Sequence, residues 1–330
     1  MTRVRFAPSP TGSLHVGNAL SAVANRTFGD WMLLRIDDTD PQRNIPGGEE
    51  EILRDLEWLG IEWEEGPVRQ SEREERYIVE LAEHLAPRFD GVTLVREDGS
   101  PTYHLASVVD DIDFGITHVI RGNDHRPNEA LHRRLTEALG ASPPEYIHHG
   151  LILGEDGRKL AKRAPGATVA SLREDGIPAE AVRRYLEELG TPKHDIHYDL
   201  PRIRRLAIEA IAGMPDEELA ARADAPLELV PALRGARDLN EAREYARTIL
   251  EPPTGVTSES PETLERFREL LQRSNGTEDP RELVRELKAV GGDLRALRLA
   301  LTGRERGPEL WAVVAALSPE EALRRVDAAL

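Results

Sequence analysis

The chain contains 330 residues, of which 39% are hydrophobic and 31% are charged, and it has no cysteine. This length and apolar content can bury a sizeable core and suggest about two domains. The absence of cysteine excludes disulfide bonds, thiolate zinc sites and a cysteine nucleophile. A formal net charge of −17 argues against indiscriminate binding to polyanions but leaves room for a local basic face.

The sequence carries no sign of membrane insertion or export. No apolar run reaches the roughly eighteen residues of a transmembrane helix, and the first residues, MTRVRFAPSP, lack the apolar core of a signal peptide. We therefore expect a cytoplasmic protein that does not contact membranes.

Residues 1–165 alternate patterns typical of strands and helices. In chain order, the predicted elements are a strand over 4–6, a helix over 14–28, a strand over 31–36, helices over 49–59 and 72–85, strands over 102–109 and 117–120, a helix over 128–139 and a strand over 146–153. This alternation predicts βαβ units and a mostly parallel sheet, with a ligand crevice at the carboxyl ends of the strands.

From residue 167 onward the strand patterns nearly vanish. The stretch 167–190 predicts two short helices separated at 176–178, and helical periodicity continues beyond it. Residues 251–263, EPPTGVTSESPET, are rich in Pro, Ser and Thr and are the best candidate for a linker. A final helical part is predicted over 264–330, with an interruption at 301–310.

The first motif with chemical content is RFAPSPTGSLHVGNAL, residues 5–20, where a Pro-rich loop leads into a predicted helix. A helix N-terminus presents unpaired N–H groups and the positive end of its dipole, which suits a phosphate. Gly17 would let a nucleotide approach the backbone closely, and His15 can donate a hydrogen bond to phosphate oxygens. Taken alone, the pattern also fits a structural turn.

The second motif is GEDGRKLAKR, residues 154–163, which follows a strand-like run. The chain has lysine at only four positions, and this motif holds two of them, Lys159 and Lys162. An ammonium group is compact and mobile, and the planar guanidinium of arginine is not an equivalent substitute. Such a loop can close over a triphosphate and stabilise charge that develops on it during transfer.

Together the two motifs resemble the paired signatures of class I aminoacyl-tRNA synthetases, usually called HIGH and KMSKS, which stand here as HVGN and KLAKR. Four further stretches resemble glutamyl-tRNA synthetases in their amino-acid sequence and in their order along the chain. They are LLRIDDTDPQR, DGSPTYHLASVVDD, GITHVIRGNDH and KLAKRAPGATVASLREDGIPAEAVRRYLEELG. Near the C-terminus, LRLALTGRERGPEL resembles the anticodon-binding tail of that family. The resemblance therefore covers nearly the whole chain.

The resemblance implies an α/β fold with a Rossmann-like parallel-sheet catalytic domain, followed by all-α C-terminal domains. The catalytic domain would occupy 1–165, a helical stem-contact-like domain 166–250 and a shortened helical anticodon-binding-like domain 251–330. The implied activity is that of a glutamate-tRNA ligase, which activates L-glutamate with ATP to glutamyl-adenylate and transfers it to tRNA. Mg²⁺ would be carried by ATP, and no zinc or other resident metal is expected.

The resemblance also assigns roles to individual residues of the two motifs. The implied catalytic residues are His15, Lys159, Lys162 and Arg163. The implied ATP-binding residues are Thr11, Gly12, His15, Gly17, Asn18, Leu151, Ile152 and Lys162. Lys162, assisted by Lys159 and Arg163, would stabilise the pentavalent transition state, since phosphoryl chemistry of this type depends on positioning and electrostatics.

The implied glutamate pocket must match two carboxylates and one ammonium group. Its residues are Arg5, Ala7, Ser9, Asp37, Tyr103, Ser107, Arg121 and Asp124. Arg5 and Arg121 would bind carboxylates, because a guanidinium pairs with a carboxylate in bidentate geometry. Tyr103 would add a hydroxyl donor, and Asp37 would receive the ammonium. Without the motif context, structural ion pairs of Arg5 and Arg121 and a core position for Tyr103 would be the favoured explanations.

The chain departs from the family pattern at several points. Asp37 stands where glutamate is usual, Asn123 where an acidic residue is common, and Ala161 where serine is usual. The largest departure is an absence. In the family, an inserted domain that grips the acceptor end of tRNA separates two motifs, which are joined here by only APRFDGVTLVRE, residues 86–97.

These departures leave the acceptor of glutamate open. We expect tRNA as the partner, because helical regions like those that contact tRNA are retained, and we also expect a monomer. The missing domain favours an alternative, a paralogue that passes glutamate to a small amine or carrier protein. A non-catalytic binding protein derived from a synthetase is the third interpretation, and the intact ATP motifs argue against it.

Overall fold

The computed structural model describes residues 1–273 and 279–330. The chain forms two compact units, one of Met1–Glu174 with Val182–Arg202 and one of Asp175–Ala181 with Ile203–Leu330. Within the described residues, no helix combines the length and apolar character needed to cross a bilayer.

Strands and α-helices are numbered in chain order within the described residues. The strands are β1 (Arg3–Phe6), β2 (Trp31–Ile36), β3 (Glu65–Arg69), β4 (Arg88–Phe89), β5 (Val92–Thr93), β6 (His118–Gly122), β7 (Glu145–His149), β8 (Ile152–Leu153) and β9 (Ile196–His197). The α-helices are α1 (Val16–Phe28), α2 (Gly48–Trp58), α3 (Glu74–His84), α4 (Tyr103–Asp113), α5 (Glu129–Ala138), α6 (Val169–Glu174), α7 (Ala179–Leu189), α8 (Leu200–Gly213), α9 (Asp216–Arg222), α10 (Val230–Leu233), α11 (Leu239–Leu250), α12 (Pro261–Arg273), α13 (Pro280–Ala289), α14 (Leu294–Thr302), α15 (Leu310–Ala316) and α16 (Pro319–Ala329).

The centre of the first unit is a set of parallel strands, as the sequence predicts. Strands β1, β2 and β3 pair in parallel with β2 in the middle, and β6 pairs in parallel with β7. Strand β6 lies beside β1, and the Thr117 N–H donates to the Arg3 carbonyl oxygen at 2.9 Å where the two approach. All six residues of β2 are buried, which is typical of a parallel strand covered on both faces.

Helix α1 places the first motif against this sheet. His15 is the N-cap residue of α1, and the Asn25 side chain donates to the Ile120 carbonyl oxygen of β6 at 3.1 Å. A Cβ at Gly29, where α1 ends, would lie 2.3 Å from Cγ2 of Val4. Glycine is therefore needed where the chain leaves α1, because any other side chain at this position would clash with Val4.

The strand predicted over 102–109 is wrong, because this stretch begins helix α4. A short apolar run rich in valine is typical of a buried strand and equally of a buried helix. The buried side chains of Leu105, Val108 and Val109 recur at helical spacing and share a core cluster with Tyr77 and Leu81 of α3. Packing against α3 thus decides the structure of this segment.

The strand predicted over 146–153 divides into β7 and β8. A Cβ at Gly150, between them, would lie 1.9 Å from the His194 carbonyl oxygen, so another segment passes close to the backbone there. Strand β8 pairs in parallel with β9, which lies in the region where the sequence predicted almost no strand.

A small hairpin occupies the connection at which the resemblance implies the loss of an inserted domain. Strands β4 and β5 pair antiparallel, with two residues in each strand, in the connection between α3 and α4. The connection is therefore ordered as a short turn, in keeping with the sequence.

In the described part of residues 203–330, all regular secondary structure is helical, as the sequence predicts. Their core is made largely of Leu and Ala and includes Leu264, Phe267 and Leu297. The predicted interruption lies between α14 and α15, and residues 251–260 of the predicted linker form no helix or strand. The helical stretch predicted over 264–330 includes residues 274–278, which lie outside the described residues. The division into three domains stays a prediction.

Candidate active site

The first unit contains a cavity of about 560 Å³ at the carboxyl ends of its central strands. The cavity wall includes Arg5 at the end of β1, Asp37 just beyond β2, Arg121 in β6 and His149 at the end of β7. This is the crevice that a parallel sheet of this type offers to ligands. Parallel strand ends bring together residues that are more than one hundred positions apart in the chain.

The start of α1 contributes one part of the cavity wall. Nδ1 of His15 accepts a hydrogen bond from the Gly17 N–H at 3.1 Å, which leaves the ring proton on Nε2. This Nε2 is buried and forms no hydrogen bond within the described part of the chain. Burial and then the charge of Lys159 lower the pKa of His15, while the Leu160 backbone works against that fall. A neutral donor beside a helix N-terminus fits a phosphate group.

The lysine loop, residues 154–163, makes two contacts across this region. Nζ of Lys159 lies 2.6 Å from Oδ2 of Asp124, and Nζ of Lys162 donates to the Thr11 carbonyl oxygen at 2.6 Å. Desolvation lowers the pKa of Lys162. Lys159 lines the cavity, whereas Lys162 and Arg163 are exposed and lie outside its lining.

Arg5 and Arg121 are both buried on the cavity wall, with exposures of 5% and 6%. Arg5 is 3.4 Å from a carboxylate oxygen of Asp111. Arg121 donates to Nε2 of His148 at 3.3 Å and to the Tyr103 hydroxyl at 3.4 Å, and its Nη2 is buried without a partner among the described residues. Burial lowers the pKa of Arg121. A buried guanidinium with an idle donor is suited to an anionic ligand.

Asp37 lies on the cavity wall but is held by a neighbour that the sequence analysis missed. Arg35 is fully buried and donates to both oxygens of the Asp37 carboxylate, at 2.7 and 3.3 Å. Arg35 also contacts Asp111 at 3.0 Å and the Ser107 hydroxyl at 3.3 Å. Burial raises the pKa of Asp37, and the charge of Arg35 opposes that rise. The Asp37 carboxylate is thus already paired with a cation.

Most of the predicted site residues converge on the cavity. Those on its wall are Arg5, Ala7, Ser9, Thr11, His15, Gly17, Asn18, Asp37, Tyr103, Arg121, Asp124, Leu151, Ile152 and Lys159. The predicted residues outside its lining are Gly12, Ser107, Lys162 and Arg163. Ser107 is buried and faces Arg35 instead.

Several polar residues of the wall were not predicted. They are Ser21, Thr39, Asp40, Arg43, Asn44, Arg96, His104, His125, Asn128 and His149. The doublets YH at 103–104 and HH at 148–149 were the available signal, because histidines next to predicted pocket residues or at a strand end favour a polar site. Across the described ranges 1–273 and 279–330, no group of three or more His, Asp or Glu side chains could hold a metal ion.

Comparison with known proteins places this chain in a family. The family model described as "tRNA synthetases class I (E and Q), catalytic domain" matches residues 1–88 and 84–202. The chain belongs to this family of class I aminoacyl-tRNA synthetases, and it is therefore a ligase-type enzyme that uses ATP. The resemblance inferred from the motifs is confirmed, as is the α/β catalytic fold followed by helical regions.

Curated relatives match along almost their whole length. The chain is 35% identical to "Glutamate--tRNA ligase 1" of Rubrobacter xylanophilus over 421 aligned positions, which cover 99% of this chain and 97% of the relative. It is 32% identical to "Glutamate--tRNA ligase" of Akkermansia muciniphila, with 99% and 98% covered. An alignment of 421 positions exceeds the 330 residues of this chain, so the first relative carries segments that this chain lacks.

A solved structure supports the fold. The glutamate tRNA ligase from Elizabethkingia meningosepticum, in complex with its amino acid, superposes with a TM-score of 0.76 at 24% identity and covers 99% of both chains. At this identity the likeness concerns the fold.

Proposed function

We propose that this chain activates L-glutamate with ATP to form glutamyl-adenylate and then transfers the glutamyl group to tRNA. The observation that carries the proposal is the buried, partly unpaired guanidinium of Arg121 on the same cavity wall as the N-terminus of α1 and the lysine loop. One cavity thus offers a cation for a carboxylate and a donor set for phosphates. The names of the full-length relatives point to the same reaction.

The cations of the wall match the two carboxylates of glutamate. Arg121 has no carboxylate of its own within ion-pair distance among the described residues, whereas Arg5 is close to Asp111. A substrate carboxylate would therefore pair with Arg121 in the first place, and Arg5 would assist in binding it. The Tyr103 hydroxyl, which accepts a hydrogen bond from Arg121, can donate its own proton to the same carboxylate.

Asp37 is the proposed partner of the substrate ammonium. Two of its lone pairs are used by Arg35, and a carboxylate has about four acceptor sites, so an ammonium can share it. Glutamate would then be held at both ends, with its α-carboxylate facing the nucleotide.

The nucleotide site is proposed at the start of α1. The Nε2–H of His15 and the N–H groups near Gly17 would bind phosphate oxygens, and Lys159 and Lys162 would move from Asp124 and Thr11 to the triphosphate. An oxygen of the α-carboxylate then attacks the α-phosphorus, a P–O bond forms, and pyrophosphate leaves. Mg²⁺ carried by ATP would further neutralise the phosphates. This chemistry needs no resident zinc.

The acceptor in this proposal is tRNA, bound without the acceptor-end domain that the family carries. A monomer working in the cytoplasm completes the proposal.

The test is ATP–pyrophosphate exchange across the amino acids, with and without bulk tRNA, followed by measurement of glutamyl-tRNA. Exchange with glutamate and a charged product are expected. Arg121→Met should abolish glutamate-dependent exchange, whereas Arg126→Met, which removes an exposed guanidinium from the adjoining turn, should leave it within about twofold. Exchange with glutamate but no charged tRNA would point to another acceptor, and no exchange under any condition would remove the enzymatic proposal.

A further inference from the structure

We propose that Glu129 and His148 are positioning residues that hold Arg121 in the orientation needed to bind a substrate carboxylate. The proposal rests on the proposed function of the cavity, and it adds two residues that the sequence motifs did not indicate. Neither residue lines the cavity. Both would act through the guanidinium of Arg121.

The first step is the contact between the two strands. Arg121 and His148 are register partners in the parallel pair of β6 and β7. Directly opposed residues of neighbouring strands point to the same face of a sheet. The Nε–H of Arg121 donates to Nε2 of His148 at 3.3 Å. The contact is therefore built into the strand register.

The second step is the tautomer of His148, assigned from its neighbours. A guanidinium Nε always carries a proton in a protein, so Nε2 of His148 must be the acceptor and Nδ1 must carry the ring proton. Nδ1 lies 3.5 Å from Oε2 of Glu129 on α5. The other oxygen of that carboxylate accepts from Nε of Arg133 at 2.8 Å, which fixes its place. Glu129 thus favours the one tautomer that can accept from Arg121.

The third step is the burial of the ring. The His148 side chain is 2% exposed, and its ring is nearly parallel to that of Tyr146, at 9° with centroids 6.2 Å apart. Burial and then the charge of Arg121 lower the pKa of His148 to about 4, with Glu129 opposing the fall. The ring is therefore neutral near pH 7 and can accept from the guanidinium, which a protonated imidazolium could not do.

The consequence concerns the free end of Arg121. Its Nε is engaged by His148 and its Nη1 by Tyr103, while Nη2 has no partner in residues 1–273 and 279–330. Two fixed contacts define the plane of the guanidinium and leave the Nη2 group available for the ligand. Without His148, the guanidinium could turn within the site, and the entropy lost in fixing it would oppose substrate binding.

The experiment measures KM for glutamate, KM for ATP and kcat in pyrophosphate exchange, starting with the unaltered full-length chain in the presence of tRNA. His148→Leu should raise KM for glutamate about tenfold or more and leave KM for ATP within about twofold, since only the carboxylate site is disturbed. His148→Gln should restore most of the affinity, because its amide oxygen reaches the place of Nε2. Glu129→Gln should raise KM for glutamate a few-fold, and the matched control Glu137→Gln, at an exposed position of the same helix, should not.

The outcomes separate the two proposals. Absence of glutamate-dependent exchange by the unaltered chain would overturn the proposed function and this inference with it. Normal exchange with an unchanged KM for glutamate in His148→Leu would overturn the inference alone, as would equal rises in KM for glutamate and ATP. If His148→Leu does not fold, Glu129→Gln against Glu137→Gln decides, and identical KM values in that pair would refute the positioning role.

Discussion

Replacing Arg35 with methionine is expected to be among the most damaging single changes in the first unit. The side chain is fully buried and contacts the carboxylates of Asp37, Asp111 and Asp110 at 2.7, 3.0 and 3.6 Å. In Arg35→Met, Asp110 and Asp111 keep other cations nearby, but Asp37 loses both of its hydrogen bonds from Arg35. Leaving one buried carboxylate unpaired costs about 3–5 kcal/mol, so the free energy of unfolding near pH 7.5 should fall by that amount.

The pH dependence makes this prediction specific. An unpaired Asp37 has a pKa in the folded state above its value in the unfolded chain, so the folded state binds the extra proton. Stability lost at pH 8 is therefore partly regained as the pH falls toward 5.5. Urea unfolding at the two pH values measures this, and adding Asp37→Asn to the variant should recover part of the loss.

The matched control is Arg54→Met, which breaks an exposed pair with Glu51. A surface pair of this kind is worth less than about 1 kcal/mol, and its loss should be nearly independent of pH. The reasoning about Arg35 would be refuted by a destabilisation below about 1 kcal/mol, or by equal losses at pH 8 and 5.5.

Three further changes test other parts of the structure. Lys162→Ala should slow adenylate formation by about a hundredfold with unfolding unchanged, whereas Lys288→Ala should leave the rate alone; near-normal adenylate formation would remove the role of Lys162. Gly48→Ala should raise KM for ATP, because its Cβ would lie 2.4 Å from a backbone carbonyl oxygen of the loop before α1, whereas Gly213→Ala meets no described atom within 4 Å and should be harmless in the same assay. The pKa of His148 falls from 6.5 to about 4 on folding, so between those pH values the unfolded chain binds a proton that the folded chain does not. Stability should therefore fall as the pH drops through that window, by on the order of 3 kcal/mol from this residue, and chemical unfolding of His148→Gln should show a correspondingly shallower pH slope.

The parts of the fold that the sequence predicts are those set by local pattern. The buried strand 31–36 and helix α1 follow from apolar runs and helical spacing, and the structure confirms both. The segment 102–109 could not be assigned in this way, because its valines fit either structure until α3 packs against them. Strand β9 has two residues and exists through its pairing with β8, which no local pattern records.

Within the candidate site, too, the predictable residues are those that belong to local motifs. Residues inside the two motifs, such as His15 and Lys159, could be named because motif and chemistry coincide. Arg35 could not, since an arginine inside an apolar run reveals nothing about carboxylates more than seventy positions away. The role proposed for His148 likewise depends on strand register and on a helix from another part of the chain.

The unpaired Nη2 group of Arg121 has a consequence for the way substrate capture depends on ionic strength. The chain carries a formal charge of −17, so at long range it repels glutamate and ATP, which are themselves anions. That repulsion acts over the Debye length, about 8 Å at physiological salt, whereas the buried guanidinium acts at contact and is screened far less. Moderate salt should therefore speed the capture of substrate by removing the repulsion before it weakens the attraction. In the proposed site, Arg121 would therefore attract an anion only at short range, while the net negative charge of the protein repels it at long range.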